Sequence, residues 1–361
     1  MIKKITLSLL VSACALMSFG TVHTVDNTAG SGAQFTSIST AINAASSGDT
    51  LLVHSSQNSY GTVQINKHVV LIGPGHHPEV NSFLPATVGS FQLINGSDNT
   101  TIEGFVIGFL ESPVFQNANN ITVRNNYFNG YNWIAGSYGD FSNADNWLIE
   151  GNVMIGAPGC GGCTLIDIRS SAGVSDNWTI RNNYIQSDYI TNGNVLINNA
   201  NSTTVFANNI IVHNNTTTLF NNVSFAGFQN NIFWMGSGQT DVTTNCVNCN
   251  FEYNLFYSPN STITDVAGVG NIMNQDPEFA MLTNSVMAWN YANDYHFMGS
   301  SPAIGTAADG DDLGLYGADY NFRMFGYTND VPRITQVLPQ YIVVPVNGTF
   351  TIDFSAIRAG Q

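Results

Sequence analysis

WTIRNNYI (178–185) is the stretch that decides the fold, because the chain repeats it. ITVRNNYF (121–128), WLIEGNVM (147–154) and TVFANNII (204–211) are close copies, and TIEGFVI (101–107), AGFQNNIF (226–233) and CNFEYNLF (249–256) are weaker ones. Aligned on the second Asn of the stretch, the key positions are Phe105, Asn126, Asn152, Asn183, Asn209, Asn231 and Asn254, at steps of 21, 26, 31, 26, 22 and 23 residues. Three positions earlier stand Ile102, Val123, Ile149, Ile180, Phe206, Phe228 and Phe251, and two positions later Ile107, Phe128, Met154, Ile185, Ile211, Phe233 and Phe256. Both columns are wholly apolar. A copy this short cannot bury its own apolar face, whereas stacked copies share one continuous core. Short strands, a turn residue at a fixed place and connections of variable length predict an all-β chain wound as a parallel β-solenoid. The apolar columns line its interior, and the Asn column is a ladder of amides bonded from coil to coil.

A second strand precedes most copies: FQLIN (91–95), VFQN (114–117), TLIDIR (164–169), VLINN (195–199) and TLFNN (218–222). Lengths vary most between the end of one copy and this strand, so loops that bear function are expected there. Glu103, Arg124, Glu150 and Arg181 occupy one column and alternate in sign. With rungs about 4.8 Å apart, they predict a surface ion-pair ladder that fixes register.

The 361 residues include 9 Lys plus Arg and 24 Asp plus Glu, a formal charge of −15. So few cations exclude nucleic acid as a partner and disfavour an anionic membrane surface. Hydrophobic residues make up 43% of the chain, too many for a disordered one. The wealth of Asn and the 34 Gly argue against a helical protein. Residues 1–20 have the layout of a signal peptide: Lys3 and Lys4, then an apolar run from Ile5 to Leu16 that is too short to span a bilayer. Cleavage after Gly20 would leave a secreted or outer-surface protein that starts at Thr21. The alternative is a lipoprotein anchored through Cys14 of Val11-Ser12-Ala13-Cys14.

On these repeats the chain resembles the right-handed parallel β-helix proteins of the pectate-lyase-like superfamily, over about Val22 to Gly317. FTSISTAINAASSGDTLLV (35–53) looks like that family's N-terminal cap helix and first rung, with Phe35, Ile38, Ile42 and Ala45 on one apolar face. HVVLIGPG (68–75) resembles the next rungs. Asp276-Pro277-Glu278-Phe279, DYHF (294–297), SPAIGTA (301–307) and DGDDLGLYG (309–317) look like the closing rungs of exported bacterial members, whose functions are mostly unassigned. The resemblance divides the chain into a signal peptide (1–20), the β-helix (21–317) and a short β-strand-rich C-terminal tail (318–361), without a transmembrane segment and as a monomer. Asp309, Asp311 and Asp312 read as a turn at the last rung rather than a calcium loop, and His76-His77 reads as an exposed Gly-Pro-rich turn.

Two CxxC pairs remain after cleavage, Cys160/Cys163 and Cys246/Cys249. In an exported chain disulfides are the default. About three rungs separate the pairs, roughly 14 Å at the inter-strand spacing, too far for one bridge or one zinc ion. Two local bridges, Cys160–Cys163 and Cys246–Cys249, are therefore expected, with free thiols as the alternative.

Known activities of the resembled superfamily are polysaccharide lyases, hydrolases and esterases, beside non-catalytic adhesins. Its galacturonase-like and pectate-lyase signatures are absent here. One region is richer than the rest. Long loops there carry Tyr131, Trp133, Tyr138 and Tyr189, whose flat faces suit sugar rings, near Asp140, Asp167 and Arg169. Asp140 and Asp167 fall about one rung apart, so they suit shared Ca²⁺ ligation or a retaining pair of glycosidase carboxylates. In lyases that the chain resembles, an Arg serves as the base, which assigns Arg169 that role. Against this, Asp167 and Arg169 at i and i+2 on one strand simply form a salt bridge. The expected function is binding of a polysaccharide or cell-surface glycan without cleavage. A Ca²⁺-dependent lyase, or less so a glycoside hydrolase, is the alternative. Thr100-Thr101, Thr203-Thr204 and Thr216-Thr217-Thr218 keep no single register, which excludes an ice-binding face.

Overall fold

Each Asn doublet makes one turn of the fold, and its two residues do different work. The first sits in the left-handed region, where a turn needs a residue that tolerates positive φ. That position is Gly104, Asn125, Gly151, Asn182, Asn208, Asn230, Tyr253 and Gly270 in successive coils, with φ between 52° and 81° throughout. The second points inward. The Oδ1 atoms of Asn126, Asn152, Asn183, Asn209, Asn231 and Asn254 each accept the backbone N–H of the residue at the same place one coil earlier, at 2.9–3.0 Å. Their Nδ2 groups donate to a carbonyl of the preceding coil at 2.8–2.9 Å. Asn271 adds a seventh amide, accepting Asn254 N–H at 3.0 Å and donating to Phe251 O at 3.0 Å.

The computed structural model describes residues 20–77, 84–111, 116–130, 134–135, 144–156, 164–170, 173–187, 195–213, 218–236, 238–264, 266–283, 287–318, 320–328, 333–339 and 352–357. The chain is a right-handed parallel β-helix. A ten-stranded parallel sheet runs from Val22–Val25 to Asn250–Glu252. A fourteen-stranded sheet follows the Asn turns and divides at Val106–Glu111. Val106 and Ile107 there pair with Tyr127 and Phe128, while Leu110 and Glu111 pair with Ile134 and Ala135. The solenoid thus has three strips: the first sheet, a second strip directly after the Asn turns, and a third strip beyond the loops. Ile102, Val123, Ile149, Ile180, Phe206, Phe228 and Phe251, with Ile107 through Phe256, are buried in one core. Trp147 and Trp178 stack within it at 4.6 Å, their indole N–H groups held by Ala118 O and Ala144 O.

Near the N-terminus, Ile38–Ala44 is a helix that buries Ile38, Ala41 and Ile42 in this core. Its N-cap is Ser37, so Phe35 lies outside it and instead bridges to Val25 beside the first strand. The charge column pairs as expected, with Arg124 on Glu103 at 2.7 Å and Arg181 on Glu150 at 2.8 Å, but it is no surface ladder: both carboxylates are buried. A second polar ladder joins the loops ahead of the first sheet. Asp98 accepts Asn119 N–H, Asn119 accepts Asp145 N–H, and Asp145 accepts Asp176 N–H, at 2.6–2.9 Å.

The C-terminal residues depart from expectation. Among the described residues, 276–317 add no strand to either long sheet. They fold back along the outside of the second strip as a strap that continues to Thr328. The outward side chains of that strip, Val153, Tyr184, Ile210, Val212, Ile232, Trp234 and Leu255, form a second core with Phe279, Met287, Tyr295, Leu313, Leu315 and Phe322 of the strap. The first Asn of three doublets anchors it. Asn230 Oδ1 accepts Ala308 N–H at 3.0 Å. Asn182 Nδ2 donates to Leu315 O and Gly317 O at 3.1 and 3.0 Å, and Tyr320 Oη donates to Asn125 Oδ1 at 3.2 Å. One coil after Asn125 the same place is Gly151, because the Tyr320 hydroxyl occupies the space of a Cβ there.

The strap also explains His76-His77, which is not an exposed turn. Phe325 O accepts His76 N–H at 2.9 Å, Tyr327 Oη donates to His77 O at 3.0 Å, and the His77 ring lies 3.8 Å from that of Tyr291. His76 is buried. Asp309 and Asp312 act as turn acceptors within the strap, Asp309 for Asp311 N–H and Asp312 for Gly305 N–H, and Asp311 O accepts Ala307 N–H. Beyond it, Arg333–Pro339 and Ile352–Ile357 pair as an antiparallel hairpin.

Candidate functional site

The third strip carries the candidate face. Its strands are Thr62–Ile65, the second half of Thr87–Leu93, the end of Val106–Glu111, Ile134–Ala135, Thr164–Asp167, Val195–Asn198 and Thr218–Asn221. Alternation along each strand turns every second residue outward. In register these are Gln64, Gln92, Glu111, Ala135, Asp167, Asn198 and Asn221, one continuous column. Six of the seven are polar, and of these Asp167 and Asn198 are buried. Thr62, Ser90 and Phe109 form the neighbouring column.

The first three coils hold the open part of this face. Gln64 is exposed, and Gln92, Phe109 and Glu111 are half-buried. Gln64 Nε2 donates to Gln92 Oε1 at 3.1 Å, Gln92 Nε2 donates to Glu111 Oε1 at 2.8 Å, and Ser90 Oγ donates to the same oxygen at 3.0 Å. Two amides, a hydroxyl, a carboxylate and an aromatic ring side by side are the groups that bind sugar hydroxyls and ring faces.

Of the residues singled out from the sequence, Tyr131, Trp133, Tyr138, Asp140 and Tyr189 lie outside the described residues, as do Cys160 and Cys163. Asp167 is placed, and it is 1% exposed. Asn199 Nδ2 donates to its Oδ1 at 2.7 Å, and Asn222 in turn donates to Asn199 Oδ1, so Asp167 opens a further coil-to-coil ladder. The residue paired with it one rung earlier is Ala135. Arg169 does not share a strand with Asp167. That strand ends at Asp167, and Arg169–Ser170 starts a separate antiparallel pair with Gly173–Val174. Cys246–Cys249 is a disulfide within one turn, as expected. Among the described residues no three His, Cys, Asp or Glu side chains group to hold a metal ion, and no helix is long and apolar enough to cross a membrane.

No family model matches the sequence, and no curated protein does either. Among solved structures, the complex of XylC with xylose aligns over 66% of this chain and 55% of that chain, with 8% sequence identity and a TM-score of 0.29. The chain thus spans about half the length of that one. A likeness of this size carries no argument, so the fold rests on the strand registers and the site on its own geometry.

Sequence reading missed Gln64, Gln92, Phe109 and Glu111. The signal was present: Phe91-Gln92-Leu93 and Leu110-Glu111 set an outward polar residue beside an inward apolar one, and only the inward set stood out. It also missed the strap, although the position directly after each ladder Asn is apolar: Tyr127, Val153, Tyr184, Ile210, Ile232 and Leu255. A strand that is apolar on both faces needs cover on both.

Proposed function

We propose that the chain is an exported, non-catalytic β-helix protein that binds a polysaccharide along the outer face of the third strip. The observation that carries the reading is the single register of Gln64, Gln92 and Glu111, which sets polar groups about 4.8 Å apart along the solenoid axis beside Phe109. A regular polymer meets a regular row with the same contact at each step. The burial of Asp167 and its place in a ladder argue against its serving as an exposed ligand or acid. Arg169 opens a separate antiparallel pair and does not continue the Asp167 strand. A signal-like N-terminus and a disulfide fit an oxidising, extracellular setting.

The test is a panel of immobilised glycans incubated with purified protein, with and without Ca²⁺, reading retention and unsaturated-product absorbance together. Retention without product, weakened in Gln64→Ala and Gln92→Ala, is the expected result. Ca²⁺-dependent product that disappears in Arg169→Ala would replace this reading with the lyase.

A further inference from the structure

Resting on that reading and narrowing it, we infer that the glycan held along Gln64, Gln92 and Glu111 is an uncharged one rather than a polyuronate. The hydrogen bonds of the row run in one direction, from the Gln64 amide to the Gln92 oxygen and from the Gln92 amide to Glu111 Oε1. Among the described residues, Gln64 Oε1 and Glu111 Oε2 accept no hydrogen bond. Both are acceptors, and one is charged, so the ligand group that meets them must donate. A sugar hydroxyl donates, whereas a uronate carboxylate does not and is repelled by Glu111.

The cations of the chain point the same way. Lys67 Nζ donates to Asn43 O and Ala45 O at 3.3 and 2.9 Å, Arg124 and Arg181 are paired with Glu103 and Glu150, and Arg323 donates to Tyr327 O at 3.3 Å. None of these described side chains serves the third strip. A chain of formal charge −15 adds a repulsive field to any polyanion. The row advances about 4.8 Å per rung along the solenoid axis, so a glycan that follows it lies parallel to that axis.

The experiment compares immobilised dextran, a mixed-linkage β-glucan and a galactomannan with polygalacturonate and alginate, across a salt series and with and without Ca²⁺. Wild type, Glu111→Gln, Gln64→Ala and Arg169→Ala are run side by side. Gln64 is exposed, so its variant keeps the fold even if a half-buried one does not. Retention is expected on a neutral glycan, insensitive to salt, about tenfold weaker in Glu111→Gln because a charged acceptor is lost, weakened in Gln64→Ala and unchanged in Arg169→Ala. Retention only on polyuronates, lost in Arg169→Ala or on Ca²⁺ removal, overturns the inference and leaves polysaccharide binding standing. Retention on no glycan, or on neutral glycans equally in all four proteins, overturns the proposed site as well.

Discussion

Asn183 shows how densely the ladder is bonded. Its Oδ1 accepts the Asn152 N–H at 2.9 Å and the Asn152 amide at 3.0 Å, and its Nδ2 donates to Ile149 O at 2.9 Å and Arg181 O at 2.8 Å. Replacing it with Ala leaves a buried N–H and a buried C=O without partners, each worth about 1–3 kcal/mol. Asn183→Ala is therefore expected to lose about 2–4 kcal/mol by denaturant unfolding. A loss below about 0.5 kcal/mol would show that water replaces the amide. His76 adds a pH dependence. Burial first, and the neighbouring His77 charge second, lower its pKa from 6.5 to about 3. The folded state thus holds a neutral ring that the unfolded chain protonates below pH 6.5. Stability is full above that pH and falls between pH 6.5 and about 3, by at most about 1.4 kcal/mol per pH unit. Thermal unfolding of wild type against His76→Gln over this range should show the extra slope only in wild type.

Among the elements, the Cys246–Cys249 turn contributes little to holding the solenoid. A bridge over so short a loop constrains the unfolded chain by only about 2 kcal/mol. Cys246→Ser, or reduction, is expected to lower stability by no more than this and to leave the far-ultraviolet spectrum of parallel strands in place. Collapse of that spectrum would mean that the turn seeds the last coils. How legible each element was follows from where its constraint lies. The ladder and inward columns were readable because their residues repeat at fixed offsets, and Asn126 or Ile180 can satisfy only one environment. The strap was not readable, because its partners are remote: Asn182 and Gly317, or His76 and Phe325, come together only after every intervening coil has stacked. Asp167 looked like a ligand because a lone carboxylate in a strand is rare, and its partner Asn199 lies a whole coil away.

On the scale of the whole molecule, a stacked solenoid ordinarily unfolds by nearest-neighbour steps, since each coil touches only the next. The strap breaks that rule. It runs from the last coils, past Asn230, Asn182 and Asn125, to the turn at His76, so one segment bonds to coils that never touch one another. Loss of any of those coils strains the same segment, which couples them into a single transition. Without the strap, the outward row Val153, Tyr184, Ile210, Ile232 and Leu255 is left as an apolar face several rungs long, beyond what a soluble surface carries. A chain that ends at residue 275 keeps the inner core and every described ladder rung through Asn271. It is expected to bind a hydrophobic dye, to self-associate, and to unfold over a broader denaturant range than the full chain, with a smaller slope for each phase. Should the shortened chain stay monomeric and unfold as sharply as the parent, the coupling would belong to the inner core alone, and the strap would be a cover without a mechanical role.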